Sequence, residues 1–375
     1  MKAPGAIHAA MEQAVRDGVF PGGVLAGRCG GEIQILVSAG RLSSDSADDV
    51  VQPTTIYDLA SLTKPLVTVT SVLLLVQAGT LELDAVIGDV LIELQGTPIA
   101  SASVRDLLRH RSGLPGWRPL YDQLDAEGVA WGHAEPGVVR QAILRLIRDE
   151  PLVSHIGEQS LYSDLGFILL GCAVERTSGL LLDEYFQQTV AQPLGAQPLF
   201  FNRAAAATAQ PSTGPAGLLI APTEWDERRA RMLKGEVHDE NAAAMGGVAG
   251  HAGLFGTAGS VLAVSGAWLA AYHGDRSILD RQLVHEFTSK QSQPAQSSWA
   301  LGWDTPTAPS SSGTHFSSES FGHLGFTGTS LWIDPTQKLE VVLLTNRVHP
   351  SRTNESIRAF RPVIHDLVYR ELVRA

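Results

Sequence analysis

Segments with strand-like composition lie at both ends of this chain and enclose a middle with helical periodicity. The strand-like segments are 22–28, 32–38, 299–303, 329–333 and 339–345. Gly30 and Gly31 separate the first two, which predicts a hairpin, and a turn is predicted at 334–337 between the last two. Strands from opposite ends of a chain share one domain only if the ends meet in space. We therefore predict an α+β domain assembled from both termini, with a helical insertion.

Helical spacing of apolar residues defines the middle of the chain and the flanks of the strands. The predicted helices are 6–18, 66–77, 104–109, 137–148, 165–177, 182–191, 261–272 and a last one from 354 onward. We expect a sheet domain formed by residues 1–60 and 251–375, and a mainly helical domain formed by residues 61–250. The Ser-, Thr- and Pro-rich stretch 305–320 is expected to be a mobile surface loop at a pocket rim.

Composition excludes several classes of protein and of partner. The 375 residues carry a formal net charge of −11 without an evident basic patch, so neither nucleic acid nor an anionic membrane surface is an expected partner. Two cysteines, Cys29 and Cys172, are too few for a disulfide scaffold or a thiolate zinc site. The start lacks the apolar region of a secretory signal, and the apolar run 66–78 is too short to span a bilayer. We expect a cytoplasmic protein.

Familiar catalytic motifs are missing from the sequence. It has no phosphate-binding loop, no dinucleotide-binding glycine pattern, no His-Glu-x-x-His and no Gly-x-Ser-x-Gly. These absences argue against a nucleotide enzyme, a zinc protease or an ordinary α/β-hydrolase.

Ser61-x-x-Lys64, at the head of the most apolar helical stretch, is the first candidate catalytic motif. Three residues of separation place both side chains on one face of a helix, with the ammonium beside the hydroxyl. A serine becomes nucleophilic when its proton is removed and its oxygen is stabilised, which such a lysine near a helix N-terminus can assist. An N-capping serine with a solvated lysine is the alternative. Lys64 is, however, one of five lysines and lies in apolar sequence, where a charge needs a partner or a function.

Two further segments are candidates for the same site. Tyr162, before the helix 165–177, is placed to shuttle a proton if a nearby cation lowers its pKa, although a tyrosine there is more often a packing residue. His323-Leu324-Gly325 is expected on or beside a strand that continues through residues 328–330. The glycine would admit a substrate carbonyl to an oxyanion hole formed by the N–H groups of Phe326 and Ser61. Considered alone, His323 is more often expected to be a satisfied loop histidine.

In this order and at these separations, the three segments resemble the motifs of the serine β-lactamase and penicillin-binding-protein superfamily, particularly its class C-like esterase and carboxypeptidase branch. That family has Ser-x-x-Lys, Tyr-x-Asn and Lys-Thr-Gly. Residues 106–115 and 250–255 are also similar to family segments, so the resemblance covers nearly the whole chain. It implies an antiparallel sheet flanked by helices with a helical domain inserted, which agrees with the α+β prediction.

The resemblance also implies a role for each matching residue. Ser61 would be the acylated nucleophile, Lys64 its activator, and Tyr162 the general base in acylation and the acid for the leaving group. His110, Ser112 and Gly113 would be structural, and His251 would brace a loop. The cluster 238–241 suggests a metal site, but consecutive residues cannot all face one ion, so a solvated turn is expected. No metal and no cofactor are expected.

Two departures from the family pattern bear on the substrate. His323 and Leu324 replace the lysine and threonine that help bind a substrate carboxylate; leucine has no hydroxyl, and histidine is expected to be only partly charged near neutral pH. Asp164 replaces the asparagine, which disfavours an anionic group there or pairs with Lys64 and holds it charged. Asp164, His323, Leu324 and Gly325 are the expected substrate-binding residues.

These observations predict a serine hydrolase that works through an acyl-enzyme on small esters or amides, with an esterase favoured. A peptidase or amidase on D-amino-acid or cell-wall peptides is the next alternative, followed by a weak β-lactamase. A non-catalytic binding protein on the same fold is the alternative of another class, because a fold does not prove a chemistry. The expected partner is a small-molecule ester, amide or peptide.

Overall fold

An antiparallel sheet built from both ends of the chain is the central feature of the computed structural model, which describes residues 5–44, 49–129, 135–203, 214–291, 294 and 297–373. The strands are β1 (Gly22–Cys29), β2 (Glu32–Gly40), β3 (Tyr57–Asp58), β4 (Leu199–Phe201), β5 (Trp225–Asp226), β6 (Arg231–Met232), β7 (Leu254–Gly256), β8 (Phe321–Leu324), β9 (Ser330–Asp334) and β10 (Leu339–Thr345). The main sheet has the order β2-β1-β10-β9-β8, so the N-terminal hairpin pairs with the C-terminal strands. Two smaller sheets, β3-β7-β4 and β5-β6, lie outside it.

Helices of varied length connect and cover these strands. They are α1 (Gly5–Arg16), α2 (Thr70–Gln77), α3 (Ile87–Val90), α4 (Val104–Leu108), α5 (Leu120–Ala126), α6 (Pro136–Arg148), α7 (Asp164–Ser178), α8 (Leu182–Phe186), α9 (Glu240–Ala244), α10 (Ala258–His273), α11 (Arg281–Thr288) and α12 (Ile357–Val373). Wide π-type turns over Lys64–Val69 and Gln187–Ala191 precede α2 and follow α8. Each predicted helix is found within a few residues of its expected bounds. The division into two domains stays a prediction.

Alternation along the strands builds a core on each face of the main sheet. Val24 and Val342 belong to the large core shared with the helical middle, whereas their neighbours Leu25 and Val341 belong to a second core under α1 and α12. Period-two alternation with both faces apolar is typical of a sheet covered by helices on both sides. The sequence shows this, because 22–27 and 341–344 are continuously apolar or small.

The strand predicted at 299–303 is wrong. Trp299 pairs only with Asp304, and Asp304 pairs with Gly322 beside β8. Gly302 has a φ of +80°, which turns the segment back on itself. A Cβ on Gly302 would lie 2.2 Å from Val69, so the turn packs directly on the helical segment that follows Ser61.

The strand expected to run from His323 through residues 328–330 is also interrupted. β8 ends at Leu324, and β9 returns antiparallel to it from Ser330, with His323 opposite Leu331. Gly328, with a φ of +114°, helps to reverse the chain between them. The turn predicted at 334–337 is present between β9 and β10, as a 3-10 turn over Pro335–Gln337.

The stretch 305–320 is tied down rather than free at a pocket rim. Ser317 N–H donates to Asp334 and Thr314 N–H to Asp366, at 2.8 and 2.7 Å. Ser312 and Ser320 are fully buried. The stretch therefore packs on the end of β9 and on α12. None of its residues lines the cavity next to Ser61 that is described below.

The helical segment Ala60–Gln77 is the centre of the large core. By length and composition, this segment of the described chain could cross a membrane. The apolar run 66–78, which by itself is too short to span a bilayer, covers only part of it. In this structure, 78% of the segment is buried against the rest of the chain, as expected of a core helix. The cytoplasmic location stays a prediction.

A close approach of two glycines sets where α7 lies against this segment. A Cβ on Gly250 would lie 2.1 Å from Phe167 O, and one on Gly171 would lie 2.9 Å from the Gly250 Cα. Thr68 Oγ1 donates to Gly250 O at 2.6 Å. These contacts bring residues 250 and 251 beside the helical turn that starts at Lys64.

Glu340 should be a main contributor to the stability of the sheet. Its carboxylate, 1% exposed, accepts hydrogen bonds from Arg28 Nε and Nη2 at 2.5 and 2.6 Å and from Ser265 Oγ, which joins β1, β10 and α10. Glu340→Gln leaves Arg28 without its counter-ion and should lower the free energy of unfolding by about 3–5 kcal/mol, measured by urea denaturation.

Asp149→Asn is the matched control, because it removes a carboxylate that pairs with Arg148 on the surface. It should leave the urea midpoint nearly unchanged. Equal effects of the two substitutions would contradict this account of Glu340.

Candidate active site

Ser61 lies on a tight 3-10 turn, Ala60–Leu62, that directly follows β3. Ala60 has a φ of +48°, a left-handed conformation that costs a non-glycine residue about 1–2 kcal/mol. The buried Asp58 carboxylate stabilises this turn: it accepts the N–H of Ala60 at 2.8 Å and that of His238 at 2.7 Å. This role of Asp58 could not be predicted from local sequence, because its contacts depend on a residue 180 positions away.

Lys64 contacts Ser61 through its side-chain ammonium group. Its ammonium nitrogen lies 3.0 Å from Ser61 Oγ, 3.0 Å from the carbonyl oxygen of His251 and 2.7 Å from Asp164 Oδ1. The side chain is fully buried. Two hydrogen bonds and one ion pair thus surround the ammonium with oxygen atoms. The solvated lysine of the alternative interpretation is therefore excluded.

Asp164 decides the charge of Lys64. Burial by itself would lower the pKa of Lys64, but the Asp164 carboxylate, helped by Tyr162, more than offsets burial, and the pKa of Lys64 is raised. The expected pairing of Asp164 with Lys64 is thus present. The ammonium stays charged and donates a hydrogen bond to Ser61, so the Ser61 proton is directed elsewhere.

Tyr162 lies over Lys64, with its ring centroid 4.9 Å from the ammonium nitrogen, and its hydroxyl interacts with both Lys64 and Ser61. The expectation that the cation lowers its pKa is wrong. Burial raises the pKa of Tyr162, and the opposing effect of Lys64 is smaller than that of burial. At rest, therefore, Tyr162 is a neutral hydroxyl.

His323 is buried on β8 beside Tyr162 and Trp299, with ring centroids 6.0 and 5.6 Å away. Its Nδ1 lies 2.7 Å from Leu324 O, so Nδ1 carries the proton and donates it there. Burial, with the charge of Lys64, lowers the pKa of His323 to about 3. The expected partial charge near neutral pH is therefore wrong, because the local sequence does not reveal burial.

His110 and its neighbours hold the segment that carries Tyr162. His110 Nδ1 accepts the Ser163 N–H at 3.0 Å, and Ser112 Oγ accepts the Leu114 N–H at 3.3 Å. Gly113, with a φ of +77°, approaches Ser154 so closely that a Cβ would lie 2.4 Å from its carbonyl oxygen. These contacts are structural.

The cluster 238–241 is not the solvated turn that was expected. His238 and Asn241 are buried. His238 Nε2 contacts Glu224 at 2.7 Å, whereas Asp239 contacts His251 Nε2 at 2.8 Å. The side chains therefore have separate partners. The Asp239 contact braces His251, whose carbonyl oxygen binds Lys64.

A cavity of about 610 Å³ joins these groups. Most of the site residues predicted from sequence line this cavity: Ser61, Tyr162, Asp164, His323, Leu324, Gly325 and Phe326. Lys64 is fully buried beneath it. Lining residues that the sequence did not suggest include Trp117, Trp299, Asp304, Arg347, Arg352 and Arg361. Those residues belong to no local motif and reach the cavity through the tertiary fold.

Comparisons with known proteins agree with this geometry. The family model described as Beta-lactamase matches residues 7–362. A protein of Escherichia coli (strain K12) named "Putative D-alanyl-D-alanine carboxypeptidase" is 31% identical over 314 residues, which cover 79% of this chain and 70% of the relative. A protein of the same name from Salmonella agona (strain SL483) is 29% identical over 329 residues, 81% of this chain and 72% of that one.

Solved structures share the fold at low sequence identity. EstCE1, described as a hydrolase with promiscuous acyltransferase activity, has a TM-score of 0.73 at 21% identity, covering 97% of both chains. An octameric penicillin-binding protein homologue from Pyrococcus abyssi has a TM-score of 0.72 at 20% identity, covering 99% of this chain and 79% of that chain. The predicted fold class is confirmed.

The buried neutral state of His323 predicts how stability depends on pH. In the unfolded chain a histidine takes up a proton below about pH 6.5, whereas folded His323 does so only near pH 3. Protonation therefore favours the unfolded state, and His323 should cost up to about 1.4 kcal/mol of stability per pH unit below 6.5. His323→Asn keeps a donor toward Leu324 and should lose less stability than the wild type between pH 7 and 5.

Urea denaturation at several pH values measures this difference. The other buried histidines are common to both proteins, so their contributions cancel. Parallel pH dependences in the two proteins would show that His323 titrates normally and would contradict its burial as a neutral base.

Proposed function

The chain belongs to the β-lactamase family of serine hydrolases, and from the geometry of its site we propose that it acts through an acyl-enzyme on Ser61 and hydrolyses small esters or amides. One observation carries the proposal. A fully buried, charged Lys64 donates to Ser61 Oγ at 3.0 Å, and its ammonium lies 4.9 Å from the centre of the Tyr162 ring, whose hydroxyl interacts with the same serine. A binding protein without catalysis has no use for this costly buried charge beside a hydroxyl.

The neutral Tyr162 favours a concerted proton relay in acylation. Ser61 Oγ attacks the substrate carbonyl, and a new C–O bond forms. The Ser61 proton passes to the Tyr162 oxygen while Tyr162 gives its own proton to the leaving oxygen or nitrogen. The leaving group departs as an alcohol or amine, and the acyl group remains on Ser61. No free phenolate is needed, which suits the raised pKa of Tyr162.

Lys64 stabilises the charge that develops along this relay. Its ammonium donates to Ser61 Oγ and lies 4.9 Å from the centre of the Tyr162 ring, and it is fully buried, where electrostatic effects are strong. In the second half-reaction, water attacks the acyl carbon and gives a proton to Tyr162. Tyr162 returns its proton to Ser61 Oγ, which releases the acid product and restores the resting state.

The segment His323-Leu324-Gly325 favours a substrate that carries an uncharged group at this position. Leu324 offers no hydroxyl, and neutral His323 offers no cation to a carboxylate. The four arginines that line the cavity are engaged within the chain: Arg352 pairs with Glu224 and Glu240, Arg358 pairs with Glu355, and Arg347 and Arg361 donate to backbone carbonyls. An esterase is therefore the favoured activity.

A carboxypeptidase-like activity is the second candidate. The name of the Escherichia coli relative, at 31% identity, favours it. The same acyl-enzyme chemistry would then act on an amide of a D-amino-acid peptide. The two candidates differ in substrate and not in the roles of Ser61, Lys64 and Tyr162.

Substitutions at the relay should test the acyl-enzyme. Ser61→Ala should abolish hydrolysis of a p-nitrophenyl butyrate probe and labelling by a fluorophosphonate. Tyr162→Phe should lower kcat at least about a hundredfold, the scale of lost acid–base help. Ser178→Ala, a serine on α7 outside the cavity, is the control and should keep wild-type activity.

Steady-state kinetics and mass spectrometry of the labelled protein provide the readouts. A phosphonylated Ser61 peptide and ester turnover are the expected results. Labelling at another residue, or wild-type activity of Ser61→Ala, would move the site elsewhere. Turnover of a D-alanyl-D-alanine peptide with no ester hydrolysis would favour the second candidate.

A further inference from the structure

The peptide group between Gly325 and Phe326 has an asymmetric environment. Its oxygen, Gly325 O, accepts hydrogen bonds from Arg361 Nη2 at 2.7 Å and from Gly328 N at 3.1 Å. Its N–H, on Phe326, has no backbone acceptor among the described residues. In a trans peptide the N–H and C=O point in opposite directions. The Phe326 N–H therefore points away from the side on which Arg361 lies.

Arg361 is an expensive residue to place behind that peptide. It is 6% exposed, and its Nε is buried without a hydrogen-bond partner. No carboxylate of the described chain pairs with it, and Nη2 bonds only Gly325 O and Thr329 O. Burial, followed by the charges of Arg347 and Arg358, lowers the pKa of Arg361. A neutral amide could bond two carbonyls without this cost, so the charge itself needs an explanation.

Two threonines fix the same bend against the segment that carries Ser61. Thr327 Oγ1 donates to Asp58 O at 2.8 Å, and Thr329 Oγ1 donates to Leu59 O at 3.1 Å. Asp58 also holds the strained Ala60. The backbone before Ser61 and the backbone around Phe326 are thus one hydrogen-bonded unit, which fixes the distance between their two N–H groups.

We propose that Arg361 is a positioning residue that orients the Phe326 N–H toward the oxyanion formed at Ser61 and strengthens it as a hydrogen-bond donor, while Thr327 holds the bend in place. The proposal rests on the proposed acyl-enzyme function. A cation on an amide oxygen polarises the whole peptide group, so its N–H becomes a better donor to negative charge. The effect is largest in the transition state, when the substrate oxygen becomes negative.

Substitution of Arg361 should therefore affect kcat more than KM. Loss of an oxyanion-hole donor costs about 10²–10³ in kcat, so a misoriented and weakened donor should cost about 10–100-fold. Arg361→Gln should show this loss with p-nitrophenyl butyrate, with KM changed less than about threefold. Arg361→Lys, which keeps the charge, should recover part of the rate. Binding of butylboronic acid, whose Ser61 adduct is tetrahedral, should weaken in Arg361→Gln by a similar factor.

Arg370→Gln is the matched control. Arg370 lies on the same helix, α12, outside the cavity, and its Nε donates to His315 at 3.2 Å, so the substitution makes the same change in charge. It should keep kcat within about twofold of the wild type. Thr327→Val is a second test that does not depend on Arg361→Gln folding: it should lower kcat about tenfold with little change in KM.

Several results would overturn the proposal. An unchanged kcat in a folded Arg361→Gln would mean that the hydrogen bond of Arg361 to Gly325 O has only a structural role. If Arg361→Gln does not fold, an unchanged kcat in Thr327→Val would lead to the same conclusion. A loss confined to mono-p-nitrophenyl glutarate, with butyrate unaffected, would assign Arg361 to a substrate anion instead. If the wild type hydrolyses neither ester and Ser61 is not labelled, the proposed function fails as well; an active wild type with equally active variants defeats the present inference alone.

Discussion

The buried ammonium of Lys64 is the interaction on which the site depends. A charge without water must have its donors satisfied, and here the acceptors come from Ser61, from Asp164 at the start of α7 and from the carbonyl oxygen of His251, 187 residues away. Three separate parts of the chain must therefore meet at one nitrogen. The close contact of Gly171 with Gly250 makes this meeting possible, because any side chain there would separate α7 from residue 251.

Close contacts between distant parts of the chain also shape the region around Ser61. The left-handed Ala60 is stable only because buried Asp58 accepts its N–H, and Asp58 O in turn accepts Thr327 Oγ1. The turn that presents the nucleophile and the bend that carries Phe326 therefore depend on each other. The strain of the turn is offset by contacts from both halves of the chain, which the central sheet brings together.

Local patterns were enough to predict part of this arrangement. Ser61 and Lys64 are three apart on a helical turn, and Tyr162 and Asp164 begin a strongly apolar helix, so spacing and family resemblance identified them. The protonation states of Tyr162 and His323 could not be predicted, because they follow from burial that only the tertiary structure sets. Asp58 and Arg361 were missed for a related reason: each acts through backbone groups that are distant in sequence, which leaves no motif.

The charge of Lys64 is the most direct test of this account. With five lysines in the chain, the side-chain resonances of Lys64 can be assigned by NMR of protein selectively labelled with ¹³C- and ¹⁵N-lysine. In the wild type, Lys64 should stay charged beyond pH 10, whereas in Asp164→Asn, which removes the largest effect that opposes burial, it should titrate at least one pH unit lower. A Lys64 that is neutral at pH 8 in the wild type, or that titrates identically in both proteins, would contradict the account.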